Sequence, residues 1–279
     1  MPEGWGSADT QAEPPETQRA DAALAARGLA RSRTQAARLI ADGLVTVDGA
    51  AVVKASTPIR PDQVLEVAGI DHYVSRAAHK LAAALDAFPV TVADRQALDV
   101  GASTGGFTQV LLERGASSVI ALDVGHGQLD PLIGRDPRVT VIEGFNAREL
   151  TPDSLQAAAG HPVDPQLVVA DLSFISLPIV LPAVTATVGK DADYVVLVKP
   201  QFEVGRTGIR EGIVHDPGLR TDAVTGVLWA AWDLGLGTAG VIPSPIAGTA
   251  GNREYLVWLS AAVGANPTEW LERVADMCR

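Results

Sequence analysis

At 279 residues, 47% hydrophobic and 20% charged, the chain is long enough for one large domain plus a small one and too apolar for general disorder. A single cysteine, Cys278, excludes an intrachain disulfide framework and a cysteine-based metal site. The formal charge of -11 excludes a uniformly nucleic-acid-binding surface. The charge is segregated, however: residues 1–18 hold acids and no base, whereas Arg27, Arg31, Arg33 and Arg38 fall in a stretch without an acid.

In chain order, residues 1–18 are rich in Pro, Glu, Gly and Gln, cannot offset the entropy of ordering, and are expected to form a disordered tail. The start Met1-Pro2-Glu3-Gly4 opens no basic-then-apolar leader, so a cytoplasmic location is expected. From Arg19 an Ala-rich helix ending near Gly28 is predicted, then Ser32 and Gln35 at capping-box spacing open a second helix that stops at Gly43. Leu44–Val47, the Asp48-Gly49 turn, Ala51–Val53 and Gln63–Val67 read as short antiparallel strands closing a unit over 19–68, followed by a linker over 69–76.

Over 77–279, Ala97–Val100, Val119–Asp123, Val139–Ile142, Leu167–Ala170, Tyr194–Val198 and Tyr255–Leu259 alternate with helical patterns, which predicts an α/β domain with a mainly parallel sheet covered on both faces. Leu172 to Gly189 is uncharged over a length near the minimum for a bilayer span, but Pro178 and Pro182 interrupt it. It reads as a helix covering the sheet, and no membrane partner is expected. The histidines lie outside any carboxylate cluster with metal-ligand spacing, so no metal is expected either.

The first strand of that domain runs into DVGASTGGFT, Asp99 to Thr108, whose glycines let backbone approach a ligand; tight packing of the turn is the plainer reading. They do not match the dinucleotide G-x-G-x-x-G pattern, and Asp123 ends the second strand, placed to accept hydrogen bonds from ribose hydroxyls. An adenosine-containing cofactor is expected. Asp171 in ADLSFIS and Lys199 in VKPQFEVG follow later strands and should emerge at the same carboxyl edge.

GLARSRTQAARLIADGLVTVDG resembles the RNA-binding domain of ribosomal protein S-four type, and DVGASTGGFT resembles the first motif of class I methyltransferases. The ordered set SRAAHKL, DVGASTGGFT, DVGHGQL, ADLSFIS, VKPQFEVG and GNREY is similar to the TlyA family, known both as hemolysin-like and as FtsJ-like rRNA 2'-O-methyltransferases. The resemblance implies a class I Rossmann-like methyltransferase domain with a mainly parallel seven-stranded sheet, plus a small N-terminal α+β RNA-binding domain. It implies S-adenosyl-L-methionine as cofactor and ribosomal RNA or ribosomal subunits as partner, with a cytidine 2'-hydroxyl as target. The catalytic set falls on Lys80, Asp171, Lys199 and Glu254, with Lys199 as the base and the carboxylates orienting the amines and the hydroxyl. The cofactor residues fall on Asp99, Gly101, Ala102, Ser103, Gly105, Gly106, Phe107, Asp123, Val124, Asn146 and Asp171, and RNA contacts on Arg27, Arg31, Arg33 and Arg38. Ala77-Ala78, where glycine is common, and His126, where an aromatic is usual, depart from the pattern. Two alternatives stand beside this reading: a lytic toxin, and a noncatalytic RNA-binding ribosome-assembly factor.

Overall fold

The computed structural model describes residues 17–30, 32–68, 72–205 and 208–279. Most of the expected tail (1–16), Arg31 and part of the expected linker (69–71) lie outside the described residues. The chain divides between His72 and Tyr73 into two compact units.

In the first unit, α1 (Ala20–Ala26) ends beside Gly28, which takes the left-handed φ of +72° that closes a helix. Helix α2 (Arg33–Ala41) opens as the Ser32/Gln35 spacing predicts, with Ser32 Oγ accepting from the Gln35 amide at 3.2 Å. Strands β2 (Val45–Val47), β3 (Ala50–Ala51) and β5 (Leu65–Val67) form an antiparallel sheet in the order β3-β2-β5. Asp48 and Gly49, both at positive φ, make the tight turn between β2 and β3. The helices and the sheet share a core of Ala23, Leu24, Ala36, Ile40, Val45 and Ile59. A second pairing, β1 (Gln18–Arg19) with β4 (Pro58–Ile59), is too short to show a period in sequence, and it puts Gln18, assigned above to the tail, into a strand.

The second unit is built on seven strands: β6 (Gln96–Val100), β7 (Ser118–Leu122), β8 (Val139–Ile142), β9 (Leu167–Ala170), β10 (Asp193–Val198), β11 (Gly237–Pro243) and β12 (Tyr255–Ser260). Their order is β11-β12-β10-β9-β6-β7-β8, with β12 antiparallel to both neighbours and every other pairing parallel. Successive residues of a strand enter opposite cores. Leu98, Ile120 and Val168 pack on one face, and Ala97, Val119 and Val169 on the other. A sheet covered on both faces needs apolar residues at nearly every strand position, and that is why the strands read as continuous apolar runs. Between them run α3 (Ala78–Ala87), α4 (Gly106–Glu113), α5 (Pro131–Gly134), α6 (Pro152–Ala159), α7 (Leu177–Val188), α8 (Pro200–Glu203) and α9 (Pro217–Asp233), with α10 (Leu271–Cys278) last.

The uncharged Leu172–Gly189 stretch contains α7, which buries Leu177, Val180, Leu181 and Val184 against the sheet. Among the described residues no helix is long and apolar enough to cross a membrane. Strand β11 was not foreseen: Gly237 and Gly240 give it the look of a turn. Both glycines answer to packing, since a side chain at 237 would run into the backbone of Gly264 and one at 240 into the Phe88 ring. The chain leaves β6 in one direction toward β7 and β8 and returns on the other side at β9, so the carboxyl ends of β6 and β9 flank a crevice, the usual ligand position in such sheets.

Candidate active site

The crevice starts where β6 ends. Gly101 has φ +85°, and a side chain on it would lie 2.8 Å from the Asp171 carbonyl oxygen, so the turn after β6 and the end of β9 touch backbone to backbone. Gly106, opening α4, would meet Ser75 Cβ at 2.9 Å and the Ala78 amide at 3.2 Å, and Gly105 would meet Leu129 at 2.9 Å. The close approach expected toward a ligand is thus, in large part, an approach of the chain to itself. Phe107 packs into the core and Ala102 is buried, yet both also border the smaller of the two cavities that open on the crevice.

Asp99 is set apart from the other expected cofactor residues. It is fully buried, one oxygen accepts from Thr108 Oγ1 at 2.6 Å, and the other has no hydrogen-bond partner. Burial pushes its carboxyl up to about 7 against the Thr108 hydrogen bond, with the charges of Asp171 and Asp123 adding to the rise. The folded protein therefore holds a proton that the unfolded chain releases near its ordinary value of 3.8, so this group's contribution to stability falls as pH rises from about 4 to about 7. Asp99→Asn removes that dependence. The thermal midpoint of the variant relative to the parent should climb through this window, and a difference that stays level would show Asp99 ionised as it is in water.

Two cavities open on the crevice, and they share Gly101, Ser103, Asp171 and Ser173 in their walls. Asp99 and Gly105 line neither of them. The larger, about 490 Å³, is bounded by Leu122, Phe145, Ile175 and Val180, with Asp123, Val124 and Asn146 also in its wall. Asp123 Oδ2 accepts from the Ser103 amide at 2.8 Å and Oδ1 from the Gly125 amide at 2.7 Å, which fixes the carboxylate and leaves each oxygen able to accept again. Asn146 accepts from the Arg148 amide at 3.2 Å, and Val124 is 68% exposed. His126, at the departure from the family pattern, stands against Gly144 so closely that a side chain there would collide with its ring.

The smaller cavity, about 200 Å³, collects Lys80, Asp171, Lys199 and Glu254. Lys80 sits on the inner face of α3 beside Leu81 and Ala84, and its Nζ pairs with Glu254 Oε2 at 2.5 Å, both side chains almost wholly buried. Lys199, directly after β10, pairs with Asp171 Oδ1 at 2.7 Å and donates to Ser173 Oγ at 2.9 Å. Buried ion pairs are poor stabilisers, because desolvating two charges costs several kcal/mol that Coulomb attraction only partly returns. One buried pair and one partly buried pair facing one cavity, beside the carboxyl edge of the sheet, have the character of chemistry more than of structure.

Ser173, Phe174 and Phe202 were absent from the sequence reading. Phe174 holds a left-handed φ of +65°, is 92% exposed, lines the larger cavity, and has its ring 5.3 Å from that of Phe202. A non-glycine residue kept in this region costs on the order of 1–3 kcal/mol and is typical of functional loops. In sequence it is merely one aromatic in ADLSFIS; the signal lies in its exposure.

The expected RNA-contacting arginines differ in what they do. Arg27 donates to the carbonyls of Gln63 at 2.6 Å and Arg60 at 2.9 Å, so its guanidinium ties α1 to the segment before β5. Arg33 pairs with Asp21 at 3.1 Å, and Arg19, more than Arg33, holds the Asp21 carboxyl down to about 2. Arg38 is exposed and has no partner among the described residues. Arg31 lies outside them. Among the described residues no group of three or more His, Cys, Asp or Glu could hold a metal ion.

A family model described as FtsJ-like methyltransferase matches residues 73–261, and one described as S4 domain matches residues 18–65. The 16S/23S rRNA (cytidine-2'-O)-methyltransferase TlyA of Mycobacterium tuberculosis strain H37Rv is 53% identical over 86% of this chain and 89% of its own length. The chain belongs to the TlyA family. Another TlyA relative, the Hemolysin A of Brachyspira hyodysenteriae, is 37% identical over 85% of the chain and 98% of its own length. A solved structure of a hemolysin-named protein from Streptococcus thermophilus superposes with a TM-score of 0.70 at 36% identity, covering 94% of this chain and 95% of that one.

Proposed function

We propose that the chain transfers a methyl group from S-adenosylmethionine to the 2'-hydroxyl of a cytidine in ribosomal RNA. The observation that carries this is the joining of two cavities through Asp171: one apolar with a carboxylate at its rim, the other holding two lysine–carboxylate pairs. The names of the Mycobacterium tuberculosis relative and of a 31%-identical Campylobacter jejuni relative, a 23S rRNA (cytidine-2'-O)-methyltransferase TlyA, support the substrate.

The cofactor fits the residues present. Leu122, Phe145 and Val180 offer apolar surface for an adenine, and Asp123, already fixed by two amides, has lone pairs left for ribose hydroxyls. When bound, S-adenosylmethionine supplies a methyl group made electrophilic by its sulfonium. The chain's own residues align the acceptor and move its proton. Lys199, held from two sides by Asp171 and Ser173, hydrogen-bonds the incoming hydroxyl, passes one of its protons to Asp171 and takes the hydroxyl proton in exchange. Lys80 and Glu254 hold the opposite wall and orient the ribose. Phe174, exposed at the mouth and backed by Phe202, offers a face on which the target base can stack.

Incubation with labelled cofactor and unmodified small or large ribosomal subunits tests the reading. Label in a ribose 2'-O-methylcytidine is expected, and none on either subunit with folded, cofactor-bound protein would leave the noncatalytic alternative standing. Asp123→Ala should weaken cofactor binding about tenfold or more, the loss of charge-assisted hydrogen bonds, with RNA affinity unchanged. Calorimetry with each ligand decides, and equal losses would displace Asp123 from the cofactor site.

In the first unit, Arg38→Ala should weaken RNA binding and flatten its salt dependence by about one unit of slope for each phosphate left without its arginine. Arg27→Ala should instead lower the thermal midpoint of that unit, because it removes hydrogen bonds to main-chain carbonyls. Identical salt slopes for Arg38→Ala and the parent would take Arg38 off the RNA surface.

A further inference from the structure

Glu203 lies outside the catalytic set, yet its carboxylate joins the two segments that carry half of it. It closes α8, four residues after Lys199, and is partly buried. Its Oε2 accepts from Ser176 Oγ at 2.6 Å and its Oε1 from the Leu177 amide at 2.9 Å. Leu177 is the first residue of α7, and Ser176, its N-cap, makes no side-chain cap of its own. Helix α7 is therefore capped from another element, with a negative charge placed where helix N–H groups are unsatisfied. Burial pushes the Glu203 carboxyl up, against the pull of these two hydrogen bonds.

The capped helix begins where the 171–176 segment ends. At its start that segment is pinned by the Asp171 amide on the Val100 carbonyl at 3.1 Å and by the Lys199 ion pair. Between the pins stand Ser173, which meets Lys199, and Phe174 in its left-handed conformation. A strained residue persists only when its surroundings over-determine it, and the second pin is Glu203. One short stretch thus supplies the amine at Lys199, the ring behind Phe174 at Phe202 and the clamp at Glu203.

We propose that Glu203 is a positioning residue for methyl transfer, holding the 171–176 segment so that Ser173 and Phe174 stay registered with Lys199. This rests on the reading of the smaller cavity as the transfer site. The clamp works through hydrogen-bond shape: a glutamine at 203 can still accept from the Leu177 amide and share a hydrogen bond with Ser176, whereas an alanine can do neither.

The test compares the full chain with Glu203→Ala, Glu203→Gln and Ser176→Ala, using labelled methyl transfer to unmodified ribosomal subunits together with hydrogen exchange of the free proteins. For Glu203→Ala, kcat is expected to fall about tenfold or more, the scale of a misplaced acceptor. Exchange over 172–177 should quicken while strands β6, β9 and β10 keep their protection. Glu203→Gln should restore kcat to within about threefold of the parent, and Ser176→Ala should fall between. Parent-like kcat in a folded Glu203→Ala variant, unchanged exchange over 172–177, or a glutamine variant as impaired as the alanine one would each overturn the proposal. If the cavity itself has been misread, no protein including the parent transfers methyl, and the exchange comparison still judges the clamp.

Discussion

Lys199→Ala is expected to cut methyl transfer by about a hundredfold to ten-thousandfold, the range contributed by a positioned proton-transferring side chain, while cofactor affinity stays within about threefold. The separation of effects follows from placement. Lys199 lines the smaller cavity and is absent from the wall of the larger one, where an adenosine would lie. Its removal leaves Asp171 without its ion-pair partner, and a partly buried carboxylate left unpaired is destabilising. Lys199→Arg therefore belongs beside it: the guanidinium can keep the pair with Asp171 but does not give up a proton in a protein. Both variants should be slowed at least about a hundredfold in single-turnover assays with labelled cofactor, and calorimetry should find both still binding it. Turnover above about a tenth of the parent rate in either would remove Lys199 from the proton path. Lys80→Ala should behave similarly if its pair with Glu254 shapes the same site.

What the amino-acid order revealed follows from where burial is symmetrical. Five of the seven strands of the large sheet were legible because both of their faces are covered, and β8, an edge strand with Val141 exposed, was legible through its β-branched run Val139–Ile142. Strand β11, at an edge, shifts register between Thr238 and Gly240 and carries glycines dictated by distant neighbours, so no local pattern marks it. Lys80, Asp171, Lys199 and Glu254 stand at no common period. Only the order of their motifs made them a set, and the topology then brought them to one cavity. Asp99 could have been read better: alternation along β6 sends Leu98 and Val100 into one core and Ala97 into the other, so Asp99 had to share the buried side of Ala97. Arg27 could not have been, since a charge run does not say which guanidinium will turn back onto main-chain carbonyls.

Removing residues 1–72 is expected to leave a folded protein that binds S-adenosylmethionine with little loss and methylates ribosomal RNA at least about a hundredfold more slowly at physiological salt. Folding should survive because the two units have separate cores. Every apolar residue of the first unit's core lies between Ala20 and Val67, and those of the second unit begin at Tyr73. Cofactor binding should survive because both cavities are lined entirely from residue 75 onward. Substrate recruitment should not. The chain carries a formal charge of -11, and long-range attraction to RNA has to come from local concentrations of positive charge such as the arginine stretch that includes Arg38. Taking it away removes phosphate neutralisation whose worth falls with salt, so the gap between the full and the shortened chain should be widest at low ionic strength and narrow as salt rises. Methylation of unmodified subunits across a salt series, for the full and the shortened chain, measures this directly. Equal rates at physiological salt would show that the second unit recognises ribosomal RNA unaided, and the first unit would then need another role.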